Sequence, residues 1–194
     1  MIAHLRGRLL SKHPNQAIVD CAGVGYQLAI TVPTFSGLPE AGAEVSLFVH
    51  THVREDQLAL FGFLKPDEKL LFEKLIAVSG IGPKLAITVL SGMSAPDLVA
   101  SIRGNDLTRL TRIPGVGKKT AERMVLELKD KLDAFTLSPT TVATPATALE
   151  EDIVSALVNL GYQRATAERA LASLGPAKGR GFEELFRAAM SVIK

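Results

Sequence analysis

Val78-Ser79-Gly80-Ile81-Gly82-Pro83-Lys84-Leu85-Ala86 is matched 35 positions on by Ile113-Pro114-Gly115-Val116-Gly117-Lys118-Lys119-Thr120-Ala121. The same shift carries Gly80 to Gly115, Gly82 to Gly117, Lys84 to Lys119 and Ala86 to Ala121. It also maps Leu75 onto Leu110, and Val89-Leu90 onto Met124-Val125. An apolar helix, a G-x-G turn and a second helix therefore occur twice.

Glycine lets a backbone take positive φ and approach a ligand closely. The helix that follows such a turn begins with N–H groups lacking intrahelical acceptors, at the positive end of its dipole. This combination binds an anionic oxygen without any side chain. Lys84 in the first copy, and Lys118 and Lys119 in the second, add charge at the same place. A single Gly-rich turn is as well explained by helix capping. Two at matching offset, each with Lys after its second Gly, point to phosphate.

The charge distribution agrees. The chain of 194 residues has a formal net charge of +2. Residues 1–62 carry 4 basic and 5 acidic groups, residues 63–132 carry 12 and 8, and residues 133–194 carry 6 and 7. The excess positive charge thus lies in the segment with the two turns, as a polyanion binder would place it. Hydrophobic residues make up 47% without an apolar run of membrane length, and no signal-peptide pattern opens the chain. Cys21 is the one cysteine, which excludes an internal disulfide and a cysteine cage for zinc or iron–sulfur. The expected location is the cytoplasm.

Residues 1–64 read as a small all-β domain. Val24, Tyr26, Leu28, Ile30 and Val32 alternate with smaller or more polar residues, as do Val45, Leu47, Val49, Thr51 and Val53. Further strands are expected at 2–10, 16–21 and 58–63, with breaks at Pro14-Asn15, Ala22-Gly23 and 33–42. Five short strands suggest a closed barrel of OB type. Its sparse aromatics, Tyr26, Phe35, Phe48, Phe61 and Phe63, read mostly as core.

Residues 65–133 read as helical. Leu70, Leu71, Lys74, Leu75 and Val78 form the first stripe, after Pro66 in a first turn. Ser94 before Ala95-Pro96-Asp97 reads as an N-cap. The last helix, over 118–132, places Ala121, Met124, Val125, Leu128 and Leu132 on one face. Residues 134–148, rich in Thr, Ala, Pro and Ser, read as a flexible linker. Residues 149–194 read as a bundle of three short helices, a size more often used for docking than for catalysis. The fold class is multidomain α+β.

Three chemistries fit poorly. A Walker A loop built on Gly117-Lys118 needs Gly at position 112 and Ser or Thr at 119, where the chain has Arg112 and Lys119. His50 and His52 share a strand face, but no carboxylate or thiolate partner is evident beside them, nor beside His4 and His13. The serious rival is a DNA glycosylase or lyase using Lys119 as nucleophile. Such enzymes also need a carboxylate beyond the second helix, and residues 135–141 contain none. No cofactor is expected.

The paired turns resemble tandem helix-hairpin-helix motifs, which grip DNA backbone without reading sequence. End to end, the chain resembles the RuvA family of Holliday-junction-binding proteins. The likeness rests on Met1-Ile2-Ala3-His4-Leu5-Arg6-Gly7, Gly23-Val24-Gly25-Tyr26, Arg54-Glu55-Asp56-Gln57 with Leu60-Phe61-Gly62-Phe63, and the two hairpins. It implies DNA contacts at Gly80, Ile81, Gly82 and Lys84, and at Gly115, Val116, Gly117, Lys118, Lys119, Thr120 and Arg123. From the residues alone, Glu55 and Asp56 read as a solvated hairpin tip; the resemblance makes them an acidic pin at the junction's centre. It further implies a non-catalytic subunit that assembles as a homotetramer, or as an octamer of two tetramers. The implied partners are the RuvB motor ATPase, bound through the C-terminal bundle, and the RuvC resolvase in a larger complex. Leu171, Leu174 and Phe182 are the expected partner-binding residues in that bundle.

Overall fold

The computed structural model describes residues 1–133, 145–175 and 180–193. They divide into two compact units, 1–138 and 139–194.

The first unit opens with strands β1 (His4–His13), β2 (Gln16–Cys21) and β3 (Val24–Ile30), then helix α1 (Val32–Gly37), then β4 (Glu44–Arg54) and β5 (Gln57–Phe63). The strands close in the order β1-β2-β3-β5-β4, every pair antiparallel except β3–β5. Alternation sets the interior: Leu5, Leu9, Ala17, Val19, Leu28, Ile30, Val45, Leu47 and Val49 are buried together. Gly7 sits where β1 crosses β2; a Cβ there would stand 2.1 Å from the Asp20 carbonyl oxygen, so only glycine fits.

Two strand expectations change. β1 runs on to His13 because a bulge between Leu9 and Ser11 resets its register, leaving Leu9 buried and Leu10 exposed. β3 stops at Ile30, and Val32 enters a helix where sequence alone suggested continued strand and then a break. The Thr31 hydroxyl accepts from the Thr34 N–H at 3.2 Å, and Pro33 suits the first turn.

Helices α2 (Pro66–Ile76), α3 (Pro83–Gly92), α4 (Ala95–Arg103), α5 (Leu107–Leu110) and α6 (Lys118–Asp133) follow. The Ser94 cap expected for α4 forms, accepting from the Asp97 N–H at 3.3 Å. One core joins Leu71, Phe72, Leu75, Leu98, Ile102, Leu110, Met124 and Leu128. Leu70, expected in the α2 stripe, is exposed; Phe72 takes the inward place. Phe61 and Phe63 of β5 belong to this helical core, so packing continues through the boundary between residues 64 and 65.

In the second unit, α7 (Pro145–Asn159), α8 (Arg164–Ser173) and α9 (Phe182–Val192) enclose Ile153, Val154, Leu157, Ala167, Ala170, Leu171, Leu185 and Ala189. Leu160, just beyond the end of α7, is exposed, whereas Val154 is buried. The expected linker over 134–148 is too long at its end: the helix already begins at Pro145, because proline is accommodated in a first turn and the alanines after it favour helix. The remainder of that linker, 134–144, lies outside the described residues.

Candidate nucleic-acid interface

The sequence repeat is a repeat of geometry. In the first turn the Val78 N–H donates to Leu75 O at 3.0 Å, and the Ile81 N–H to Val78 O at 3.0 Å. In the second, Ile113 donates to Leu110 O at 3.2 Å, and Val116 to Ile113 O at 3.0 Å. Gly80 and Gly115 hold φ of 90° and 84°, the left-handed region that favours glycine. The following helices start alike, Ala86 donating to Gly82 O at 3.0 Å and Ala121 to Gly117 O at 2.9 Å.

Val78, Ile81, Ile113 and Val116 are all buried, and they peg the turns to the core. Ile81 and Val116 are the middle residues of the two Gly-x-Gly turns. Their side chains face inward and their N–H groups are used within the turn, so they shape the site without presenting a donor from it. Gly82 and Gly117 play the other part. A Cβ on either would meet nothing within 4 Å, so the backbone at both is open to close approach.

Neither α3 nor α6 has an acidic residue in its first turn, leaving the positive dipole end uncompensated. Lys84 and Lys119 occupy equivalent places, are exposed, and join no ion pair among the described residues. Lys118 reaches Glu122 at 4.0 Å with its side chain still 81% exposed. Pro83 stands where the second copy has Lys118, so the first turn of α3 offers one N–H fewer. Thr120 is half-buried. Arg123 is exposed, but its Nη1 donates to Ser79 O at 2.9 Å and to Ser79 Oγ at 3.1 Å. Sequence reading missed Ser79; no signal in the repeat marks it, since its counterpart is Pro114.

A second feature projects from the barrel. β4 and β5 pair from Phe48↔Phe63 to Arg54↔Gln57, whereas β1 follows β4 only as far as Phe48 and β3 meets β5 only at Phe61 and Gly62. From His52↔Ala59 outward the hairpin is a two-stranded arm, with Glu55 and Asp56 as its two-residue tip. Both carboxylates are exposed and in no ion pair among the described residues. Arg54 donates from Nε to His52 Nε2 at 3.0 Å. Val53 and Leu58 face each other beside the tip, each 68% exposed. The period-2 pattern that reaches Val53 thus belongs to a strand that runs beyond its pairing with β1. His50 is held by Glu73, Nδ1 to Oε1 at 3.0 Å.

A family model described as RuvA N terminal domain matches residues 1–62; one described as SAM-like helix-hairpin-helix tandem matches 72–130; and one described as RuvA, C-terminal domain matches 148–192. The chain is similar to proteins named Holliday junction branch migration complex subunit RuvA. That of Acidobacterium capsulatum is 58% identical and that of Solibacter usitatus 54%, each with all of both chains covered. The chain belongs to the RuvA family. A further member, from Geobacter sulfurreducens, is 45% identical over all of this chain and 99% of its own. The family's N-terminal model covers the barrel and the acidic arm, and the helix-hairpin-helix model spans both glycine turns. Among the described residues no single helix is long and apolar enough to cross a membrane.

Of the partner-binding residues expected in the C-terminal bundle, Leu171 is 9% exposed and part of the core, with Leu174 packed against it. Leu171 lies on the inward stripe of α8, which closes a very small core, and Leu174 is the C-cap residue of that helix. Phe182 is 40% exposed and stacks on Phe186, centroids 5.6 Å apart.

Proposed function

We propose that this chain is the DNA-binding subunit of a branch migration complex, recognising four-way junctions by structure and not by sequence. The duplicated turn geometry carries the reading: two open glycine–helix starts, each with a free lysine, suit the phosphate backbone and leave base edges unread. Gly82, Lys84, Gly117, Lys118 and Lys119 are the residues assigned to phosphate, with Gly80 and Gly115 setting the turns. The subunit is non-catalytic, and ATP hydrolysis belongs to RuvB. Residues 1–64 supply the acidic pin, 65–133 the DNA grip, and 149–194 a tethered docking module for the motor. RuvC is a further partner in the larger assembly, in the cytoplasm. A cyclic homotetramer suits a four-armed ligand, since each subunit offers one identical surface to each arm.

A gel shift comparing a four-way junction with linear duplex of the same sequence, at two salt concentrations, tests this. The expected result is tighter junction binding that weakens steeply with salt; equal affinity for both DNAs would refute it.

A further inference from the structure

Gly80 and Gly115 each lie beneath a side chain from the opposite hairpin. Arg123, on α6 after the second turn, holds Ser79 of the first through two hydrogen bonds, and its Nη1 is 3.5 Å from where a Gly80 Cβ would stand. Leu85, on α3 after the first turn, brings Cδ1 to 3.1 Å from the corresponding point on Gly115. One contact is apolar and the other is a charge-assisted clasp. The clasp stands outside the repeat: the counterpart of Arg123 is Thr88, whose hydroxyl donates to Lys84 O of its own helix at 3.1 Å.

We infer that Arg123 and Ser79 form a positioning pair that fixes the separation of the two phosphate-binding turns, and thereby makes the protein select DNA junctions over RNA junctions. The inference rests on the reading that both turns hold duplex backbone. Two anion sites at a fixed spacing fit one arrangement of phosphates. B-form and A-form duplexes differ in groove width and depth, so they present different phosphate spacings across the groove. A spacing set before binding favours the matching form and avoids the ordering cost of finding it. A guanidinium bonded at once to a main-chain oxygen and a hydroxyl holds direction as well as distance. The charge of Arg123 is thus directed at the neighbouring turn.

The test compares wild type, Ser79→Ala, Arg123→Lys and Arg123→Ala on four-way junctions of DNA and of RNA with one sequence, at several salt concentrations. Arg123→Lys keeps the charge and loses the planar fork; Ser79→Ala keeps every charge and the main-chain acceptor. The expected DNA-to-RNA affinity ratio falls about tenfold in Arg123→Lys and about threefold in Ser79→Ala. The salt slope of both stays at the wild-type value, because no phosphate contact is removed. An unchanged ratio in Ser79→Ala overturns the inference. So does wild-type behaviour of Arg123→Lys, with Arg123→Ala weakening both nucleic acids equally and lowering the salt slope by about one, the mark of a direct phosphate ligand. Lys119→Glu separates the two levels of argument: if it binds DNA junctions like wild type, the turns are not the phosphate site and the parent reading fails.

Discussion

Phe61 of β5 lies against Phe72 of α2, ring centroids 5.0 Å apart and planes inclined by 31°. Phe63 meets the same ring at 5.1 Å and His50 at 5.3 Å, with Phe72 wholly buried among them. The seam between barrel and helices is thus an aromatic cluster, braced by His50–Glu73 and, at 3.9 Å, Lys69–Glu73. Phe72→Ala should cost about 3–5 kcal/mol, as expected for removing a buried ring. Because the seam is shared, the slowest-exchanging amides of barrel and helices should lose protection together. Loss confined to the helices would show that the two fold independently.

The glycines of one turn should respond oppositely to the same change. Gly117 faces open space and its backbone does not take positive φ, so Gly117→Val should fold normally and obstruct phosphate approach, weakening junction binding at least tenfold, about 1.4 kcal/mol or more. Gly115 holds φ of 84° with Leu85 above it, so Gly115→Val should destabilise by about 1–3 kcal/mol. Thermal unfolding and gel shifts on both variants check this. Equal unfolding temperatures would contradict it.

The repeat made the hairpins legible in sequence, because the turn chemistry is local: glycine spacing and flanking apolar pegs determine the same hydrogen bonds twice. The buried faces of the barrel and of α6 were legible for the same reason, through period 2 and period 3.6. What escaped was non-local. Ser79 matters only because Arg123 arrives from 44 residues away, and neither position signals the other. Val53 obeys the strand alternation yet lies outside the barrel, since alternation gives a residue's face but not whether another strand covers it. Leu171 carries the inward periodicity of α8, a pattern that a docking surface can share with a core.

Glu68 predicts a pH effect on stability. Burial holds its carboxyl above the ordinary glutamate value, against the opposing charge of Lys65, and its Oε2 is buried without a hydrogen-bond partner. A raised folded-state pKa means that the native protein binds the proton more tightly than the unfolded chain. The penalty is absent well below 4.5, grows as pH rises from that unfolded value, and is complete above the raised folded one. Glu68→Gln should therefore gain stability relative to wild type as pH goes from 4 to 7. Denaturant midpoints at both pH values measure it; a constant difference would show that burial of the charge is unimportant.

A chain ending after Ser138 retains the whole first unit, with both turns and the acidic arm. It should bind four-way junctions like the full chain and fail to stimulate RuvB-driven branch migration. Undiminished migration would remove the docking role from α7, α8 and α9.

Glu55 and Asp56 set a different balance. They stand at the tip of a hairpin arm whose last paired positions are Val53↔Leu58 and Arg54↔Gln57, where Arg54 turns to His52 and both carboxylates join no ion pair among the described residues. Near phosphate their charge is repulsive, so they lower affinity for any DNA that passes over them. In a four-fold assembly about eight such carboxylates would gather round one centre. Continuous duplex crossing that centre meets them directly, whereas the arms of a junction part around it. The repulsion then acts as discrimination against the wrong ligand. Glu55→Gln with Asp56→Asn keeps the turn's size and removes the charge. It should tighten binding to linear duplex more than to junctions, narrowing the ratio of their dissociation constants by about tenfold, or 1.4 kcal/mol. The effect should shrink as salt rises, because exposed charges are screened beyond about 10 Å at 0.1 M. A ratio unchanged at low salt would return the two residues to an ordinary solvated turn.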